Sequence, residues 1–417
     1  MLKNSPLKEK TPLLSSWSPD RWIPVAQGGL RISLNLFLFS LPLAHITAVR
    51  ESTLFLGVFF WLLLMLLNRR ILWPRTPIDW PLFFWLACVF VSLLWAVNPA
   101  YSFKKIQGDV LKGILVYYLL AYAAQDPDQR KQLFFSLTIG NTLMIVYALW
   151  DFWQAGGSFG SYEIRARSLH QSYPEFGTYL ITVLPFFLIS FFSPLSKQLR
   201  WFWGIWVVMG LFCIYITFGR AMWLAAAVEI LLVVWMANKK KLVLVFLLSL
   251  LLLPLVMPKT VWFHGEQIPQ SGEVSSQKIG GTGGDLIEIW KLAFTFFRER
   301  PFQGIGYGRN SFSEAFPHFR ASHQPLLWHA HNAFLNIGFQ TGIQGLAAFL
   351  WLVGAILYQT YRRGKAGLSS WVGSINLAVF IMVIGFFIRN CFDDLYVDDN
   401  LLLFWFLIGA ALGPTKE

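Results

Sequence analysis

The chain has 417 residues, 56% of them hydrophobic, 17% aromatic and 13% charged, which is more apolar surface than one soluble core of that length needs. That composition excludes an ordinary soluble domain and requires faces that meet lipid. The formal charge of +12 raises nucleic acid as a partner, but the basic residues are scattered between hydrophobic runs and form no patch or stripe. Membrane topology and anionic membrane lipid account for them, and nucleic acid is not expected.

Residues 1–31 are polar and basic, with Lys3, Lys8, Lys10, Arg21 and Arg31, and no small-residue cleavage site follows the next apolar run. An uncleaved first helix is expected. Apolar segments then recur at 32–49, 53–68, 79–97, 110–125, 133–154, 176–194, 201–218, 221–237, 242–257, 332–358, 370–388 and 401–413. A bilayer core of roughly 30 Å needs about 20 apolar residues per helix. The expected fold is an all-α polytopic membrane protein of about twelve transmembrane helices. Its parts are a cytoplasmic segment at 1–31, helices one to nine over 32–257, a long loop at 258–331, and helices ten to twelve over 332–413. Cys88, Cys213 and Cys391 show no CxxC spacing, so neither a disulfide framework nor zinc is expected.

The loops set the orientation. With the N-terminus inside, the inner loops carry Arg69, Arg70 and Arg75, then Arg130 with Lys131, Lys197 with Arg200, Lys239-Lys240-Lys241, and Arg362, Arg363 and Lys365. Both termini are then cytoplasmic. The outer segments carry Arg50, Lys104, Lys105, Arg165, Arg167, Arg220 and Arg389, which the positive-inside rule does not predict, and these mark where to look for function.

The 258–331 loop lies outside. Its first part is polar and glycine-rich. Its second part places Leu286, Ile289, Trp290, Ala293, Phe296 and Phe297 at helical spacing before Pro301, an amphipathic helix lying on the membrane or packed across the bundle.

Arg220 stands between two apolar stretches in "CIYITFGRAMWLAAAV". It is either an arginine snorkelling to headgroups or a phosphate clamp, since a planar fork of donors suits phosphate oxygens. His331, in "LLWHAHNAFLNIGFQTGIQG", marks the outer end of the tenth helix, with His329 and Asn332 beside it. It is either a capping or interfacial histidine or a general base, because a helix N-terminus disfavours the imidazolium. The HxHN spacing admits a metal pair, but no third ligand stands at convincing spacing, so metal is the lesser reading. Arg165 and Arg167 add positive charge to the same face, with Lys104 and Lys105, as headgroup anchors or as a rim suited to a diphosphate. The glycines of "PFQGIGYGRNSF" follow no strand and lie outside the cytoplasm, so a nucleotide loop is rejected. Asp393, Asp394, Asp398 and Asp399 read as a solvated acidic loop or as partners of the basic rim, with a cation as the lesser alternative.

Four stretches, "RARSLHQSYPEFGTYL", "TFGRAMWLA", "IWKLAFTFFRERPFQGIGYG" and "HAHNAFLNIGFQTGIQG", resemble the O-antigen ligase family, within the wider group of O-antigen ligases, O-antigen polymerases and bacterial O-oligosaccharyltransferases. The last is the most specific, with His331-Asn332 followed by Gly342 and Gly345. The likeness extends over roughly residues 30 to 410. It implies an inner-membrane glycosyltransferase with a periplasmic active site, taking a glycan from undecaprenyl diphosphate. In ligases the acceptor is lipid A-core. No nucleotide sugar, ATP, other cofactor or metal is implied, and inversion is expected.

By that resemblance Arg220, with Leu224, is expected to hold the diphosphate, and His331 to activate the acceptor hydroxyl. Arg165, Arg167, His329, Asn332, Lys291, Arg298 and Arg300 are candidate substrate contacts. The family's second arginine, about four residues before the loop-helix tryptophan, is replaced here by Leu286 before Trp290. Lys291, Arg298, Arg300 or Lys278 are the candidates to substitute, and Arg167 to contribute from another loop. The leading expectation is a ligase, with polymerase as the nearest rival. A protein O-oligosaccharyltransferase and a lipid-linked glycan transporter follow. A transporter calls for mid-membrane charges and internal repeats, of which only Lys112 gives a hint.

Overall fold

A computed structural model describes residues 19–158, 163–239, 241–242, 282–317 and 329–414. Among the described residues the regular structure is helical and there is no strand. In chain order the helices are α1 (Pro19–Ser40), α2 (Thr47–Leu67), α3 (Asp79–Val91, extended by a 3-10 turn over Ser92–Trp95) and α4 (Pro99–Lys105). A π turn over Ile106–Leu111 joins α4 to α5 (Lys112–Ala123). Then come α6 (Pro127–Gln154), α7 (Tyr173–Phe192), α8 (Lys197–Ile216), α9 (Arg220–Met236), α10 (Thr282–Glu299) and α11 (Asn310–Ala315). The last three are α12 (Ala333–Gly364), α13 (Trp371–Asn390) and α14 (Asp398–Leu412).

Helices α2, α6, α7, α8, α12 and α13 are long and apolar enough to cross a membrane, and α3 with its extension is a shorter apolar helix. The ninth apolar segment, at 242–257, lies outside the described residues from 243 on, as do the first part of the long loop and Lys278. One boundary differs from expectation. The run 32–49 is not one helix: α1 begins earlier, at Pro19, and ends at Ser40, and α2 takes over at Thr47. Pro42 lies in the turn between them, where its fixed φ and missing N–H break the ladder.

Starts are written locally. Asp126 accepts from the backbone N–H groups of Asp128 and Gln129 with Pro127 in the first turn of α6, and Ser172 caps α7 through the Glu175 N–H with Pro174 behind it. At the centre of the bundle, α7 and α13 are largely buried, and every residue of α14 from Asn400 to Leu412 is enclosed. Lipid tails are as apolar as leucine, so such a core is held by close packing and not by escape from water. The α5–α14 pair shows how. A Cβ on Gly409 would fall 2.5 Å from the Tyr117 carbonyl oxygen, and one on Gly413 would fall 2.6 Å from that of Ala121. The two helices run parallel with glycines in the seam.

Three of the unexpected basic residues, Arg50, Lys105 and Arg389, are paired with carboxylates. Arg50 meets Asp399 at 2.6 Å, Lys105 meets Asp109 at 3.8 Å, and Arg389 meets Asp393 at 3.0 Å. Of the acidic residues of the last turn, Asp393 and Asp399 each pair with an arginine, as partners of the basic rim, and Asp394 is buried, while Asp398 is exposed. Lys112, the hint of a mid-membrane charge, is paired with Glu51.

The loop helix α10 packs on α12. Ile289 and Ala293 are buried and Phe296 and Phe297 half-buried against Phe339, giving the packed face the i, i+4, i+7, i+8 stripe of an amphipathic helix. Trp290 departs from the expected face. One residue round from Ile289, it is 49% exposed.

Candidate active site

Two distant pieces of chain meet at one end of the bundle: residues 329–332, leading into α12, and the turn after α13. Asn332 joins them. Its Oδ1 accepts from the N–H groups of Phe334 and Leu335, capping α12, and its Nδ2 donates to the Cys391 carbonyl at 3.0 Å. The amide placed among the substrate contacts is thus engaged in holding the site together. His331, just before the cap, has φ of 47°, in the left-handed region where a residue with a Cβ is strained.

The histidine rings lie with centroids 3.9 Å apart. Asp393 Oδ1 stands 3.6 Å from His331 Nδ1 and 3.6 Å from His329 Nε2, while its Oδ2 accepts from Arg389 at 3.0 Å. Arg309 Nη2 lies 2.8 Å from His329 Nε2, and the His331 backbone N–H donates to His329 Nδ1 at 3.0 Å. Burial, with the neighbouring His331 and Arg309, pushes the His329 pKa well below its usual value despite Asp393, so this imidazole stays neutral. Burial pushes Asp393 upward, but His331 beside it and the charge of Arg389 outweigh that and hold the carboxyl well below its usual range. An ionised Asp393 favours the proton of His331 on Nδ1, which leaves the Nε2 lone pair as a base.

His329, His331 and Asp393 could hold a metal ion, and Asp393 is the third ligand that spacing along the sequence did not reveal. The charges argue against it. A guanidinium already stands at His329 Nε2 and another on the Asp393 carboxylate, so a divalent cation would meet two positive charges.

Arg309 arrives on a strap. Residues 301–308 run beside α12 where that helix breaks at Gly342, whose φ of 76° and ψ of 177° suit glycine alone. Ile305 N–H donates to the Phe339 carbonyl at 2.8 Å, and Ile343 N–H to that of Pro301 at 2.9 Å. A Cβ on Gly304 would sit 2.1 Å from the Gln340 carbonyl oxygen. The glycine spacing that resembles a nucleotide loop thus serves close passage of one backbone over another.

Arg220 is exposed as the first residue of α9. α9 packs on α13, with Glu229 closing on Gly385. At 1.5 Å per residue, Arg220 stands about 13 Å beyond Glu229, and Arg389 about 6 Å beyond Gly385, at the same end of the bundle. The Ala166 N–H donates to the Ile216 carbonyl at 3.0 Å, which ties Arg165 and Arg167 to the corner before Arg220. Arg165 lies 4.4 Å over the Tyr173 ring and Arg167 is exposed. Lys291 pairs with Glu288 at 2.8 Å, and Arg298 and Arg300 are exposed, so these three stand on the open surface of α10 and its end. The structure therefore brings His331 and His329 together and sets the Arg165–Arg167 segment beside Arg220.

Sequence reasoning misses Arg309. It marks Arg389 as a charge against the positive-inside pattern and Asp393 as a partner of the basic rim, but places neither beside His331; their i, i+4 spacing on the outer side is a further signal.

A protein-family model described as O-antigen ligase matches residues 205–350, from within α8 to within α12. That span includes Arg220, Arg309, His329 and His331. No curated protein matches the chain. The chain thus joins apolar, membrane-type helices to a segment, residues 205–350, that matches the O-antigen ligase family.

Proposed function

We propose that the protein transfers O-antigen or a related glycan from undecaprenyl diphosphate onto lipid A-core. In this reading it sits in the inner membrane with about twelve spans and acts at the periplasmic face. The carrying observation is the His331–Asp393 pair, set at the end of the bundle where Arg220 and the Arg165–Arg167 segment also lie.

The acceptor hydroxyl oxygen attacks the anomeric carbon while His331 Nε2 takes its proton. The bond from that carbon to the diphosphate oxygen breaks, and undecaprenyl diphosphate leaves with the electron pair. Base and leaving group act on opposite sides of the carbon, so the configuration inverts. Asp393 stabilises the imidazolium that forms, and Arg220 neutralises the charge growing on the leaving diphosphate, each interaction being strongest in the transition state. Asp393 and Arg389 position the base and Arg165 and Arg167 supplement the clamp.

The lipopolysaccharide profile of a strain lacking the protein tests this reading. Loss of long-chain bands with accumulation of lipid-linked polymer is expected for a ligase. A single-repeat band would instead establish a polymerase, and an unchanged profile would reject both.

A further inference from the structure

We propose that a groove walled by α6, α7, α8 and α13 holds an acyl chain of an anionic phospholipid, with the headgroup phosphate at Lys131. α13 starts in the wall of this groove, at Trp371, and ends at Arg389 beside Asp393, so the groove lies at the end of the bundle away from His331. The transfer chemistry makes no use of it.

The cavity volume is about 260 Å³, with Phe134 of α6, Phe186 of α7, Trp203 of α8 and Trp371 in the wall. Hydroxyls in the wall turn back on their own stretch of backbone. Thr138 donates to the Phe134 carbonyl at 2.8 Å, Ser190 to that of Phe186 at 2.7 Å, and Ser374 to that of Leu368 at 3.2 Å. Asn141 also borders the groove, but both of its amide atoms are enclosed. What faces the space is therefore nearly all carbon, and water, which needs polar partners, has little to hold it. The tie that closes the groove is polar: Trp206 Nε1 of α8 donates to Thr142 Oγ1 of α6 at 2.9 Å. From that tie to Lys131, about 16 Å along α6, the groove lies between the two helices. An unfilled gap forfeits dispersion contacts on every wall, and hydrocarbon from the bilayer restores them. A helix, about 10 Å across with its side chains, needs far more room than this, so a single chain is the occupant that fits.

Charge selects the headgroup. Lys131 borders the groove and pairs with Asp128 at 3.2 Å, but both side chains are exposed, so water weakens that pair and a phosphate competes for the ammonium. The nearby Asp126 pairs with Arg31 at 3.4 Å. Lys197 and Arg200 are exposed on either side of Leu199, which also borders the groove. Three cations thus stand at this end against Asp128, which favours an anionic headgroup over a zwitterionic one. Trp371 is half-exposed there, an amphipathic ring of the kind that sits at headgroup level. α8 ends at Ile216, shortly before Arg220, so the bound lipid braces the helix that leads to that arginine.

The test uses the full chain, stripped of lipid in detergent and then offered phosphatidylglycerol or phosphatidylcholine with the same acyl chains. Native mass spectrometry counts the lipid retained, and the unfolding midpoint follows the stabilisation that binding brings. The unaltered protein should retain one tightly held phosphatidylglycerol and prefer it over phosphatidylcholine by about fivefold or more. Lys131→Gln with Arg200→Gln should remove most of that preference while a lipid is still retained. Thr138→Trp, which sets an indole in the groove, should abolish retention. Leu199→Trp narrows the groove from an exposed position and carries the test if Thr138→Trp does not fold. Equal retention of the two lipids by the unaltered protein overturns the proposal, as does undiminished retention in whichever tryptophan variant folds. A second copy of the chain held in place of lipid, seen as a dimer that the tryptophan variant disrupts, overturns it as well.

Discussion

Asp393 Oδ1 lies 3.6 Å from His331 Nδ1, and the other oxygen of the same carboxylate holds Arg389 at 3.0 Å. A histidine at the mouth of a membrane bundle is thereby given a fixed face toward a carboxylate and a free nitrogen toward substrate. The partner comes from the far side of α13, and Asn332 Nδ2, bonded to the Cys391 carbonyl, keeps the two pieces in register.

Asp393→Asn should keep the shape of this pair and remove its charge. The imidazolium would lose its counter-charge and the preferred tautomer would no longer be enforced. Transfer should fall on the order of 10²-fold in kcat, with donor KM little changed. Turnover in liposomes over a range of donor concentrations measures both. An undiminished kcat would place Asp393 in a merely structural role.

In acid, His170 should work against folding. Its ring is buried against Phe176 and Tyr179, and burial, followed by the charges of Arg50 and His45, lowers its pKa from 6.5 to about 4. Below pH 6.5 the unfolded chain binds a proton that the folded one refuses, so stability is full above that pH and declines as pH falls toward 4. The buried His329 acts in the same direction, and Asp393, held low, adds loss only below the ordinary carboxylate range. The contribution of His170 to stability should be constant above pH 7 and drop below 6.5. His170→Phe, which keeps an aromatic ring in the same packing, should remove that drop, a gain of roughly 3 kcal/mol over the unaltered protein across the window, read from unfolding in detergent at each pH. An unaltered drop in the variant would contradict the assignment.

The Arg50–Asp399 pair ties the start of α2 to the start of α14 at 2.6 Å, with Arg50 almost fully enclosed. Removing one partner leaves an uncompensated charge, so Arg50→Met should cost about 3 kcal/mol of stability. Replacing both, as Arg50→Met with Asp399→Leu, should recover most of it. Thermal unfolding of the two variants beside the unaltered protein decides this, and a double variant no better than the single one would contradict it.

Much of this arrangement is legible in the sequence, because lipid imposes a simple pattern. Long apolar runs give α6, α7, α8, α12 and α13 near their expected places, and proline with a short polar cap marks where α6 and α7 begin. The turn around Pro42 is harder to see, since apolar residues continue across it. His331 and Arg220 stand out as polar residues at the ends of apolar runs. Asp393 and Arg309 do not, because their roles arise from contacts between segments far apart in the chain. The paired state of Arg50, Lys105 and Arg389 is hidden for the same reason. Charge that breaks the positive-inside pattern is visible in sequence, but its counter-charge is visible only in the fold.

The central claim is that His331 is the base. In liposomes holding donor and acceptor, His331→Ala should lose at least ~10²-fold in the rate of glycan transfer while binding undecaprenyl diphosphate as the unaltered protein does. Transfer at the unaltered rate would contradict the account.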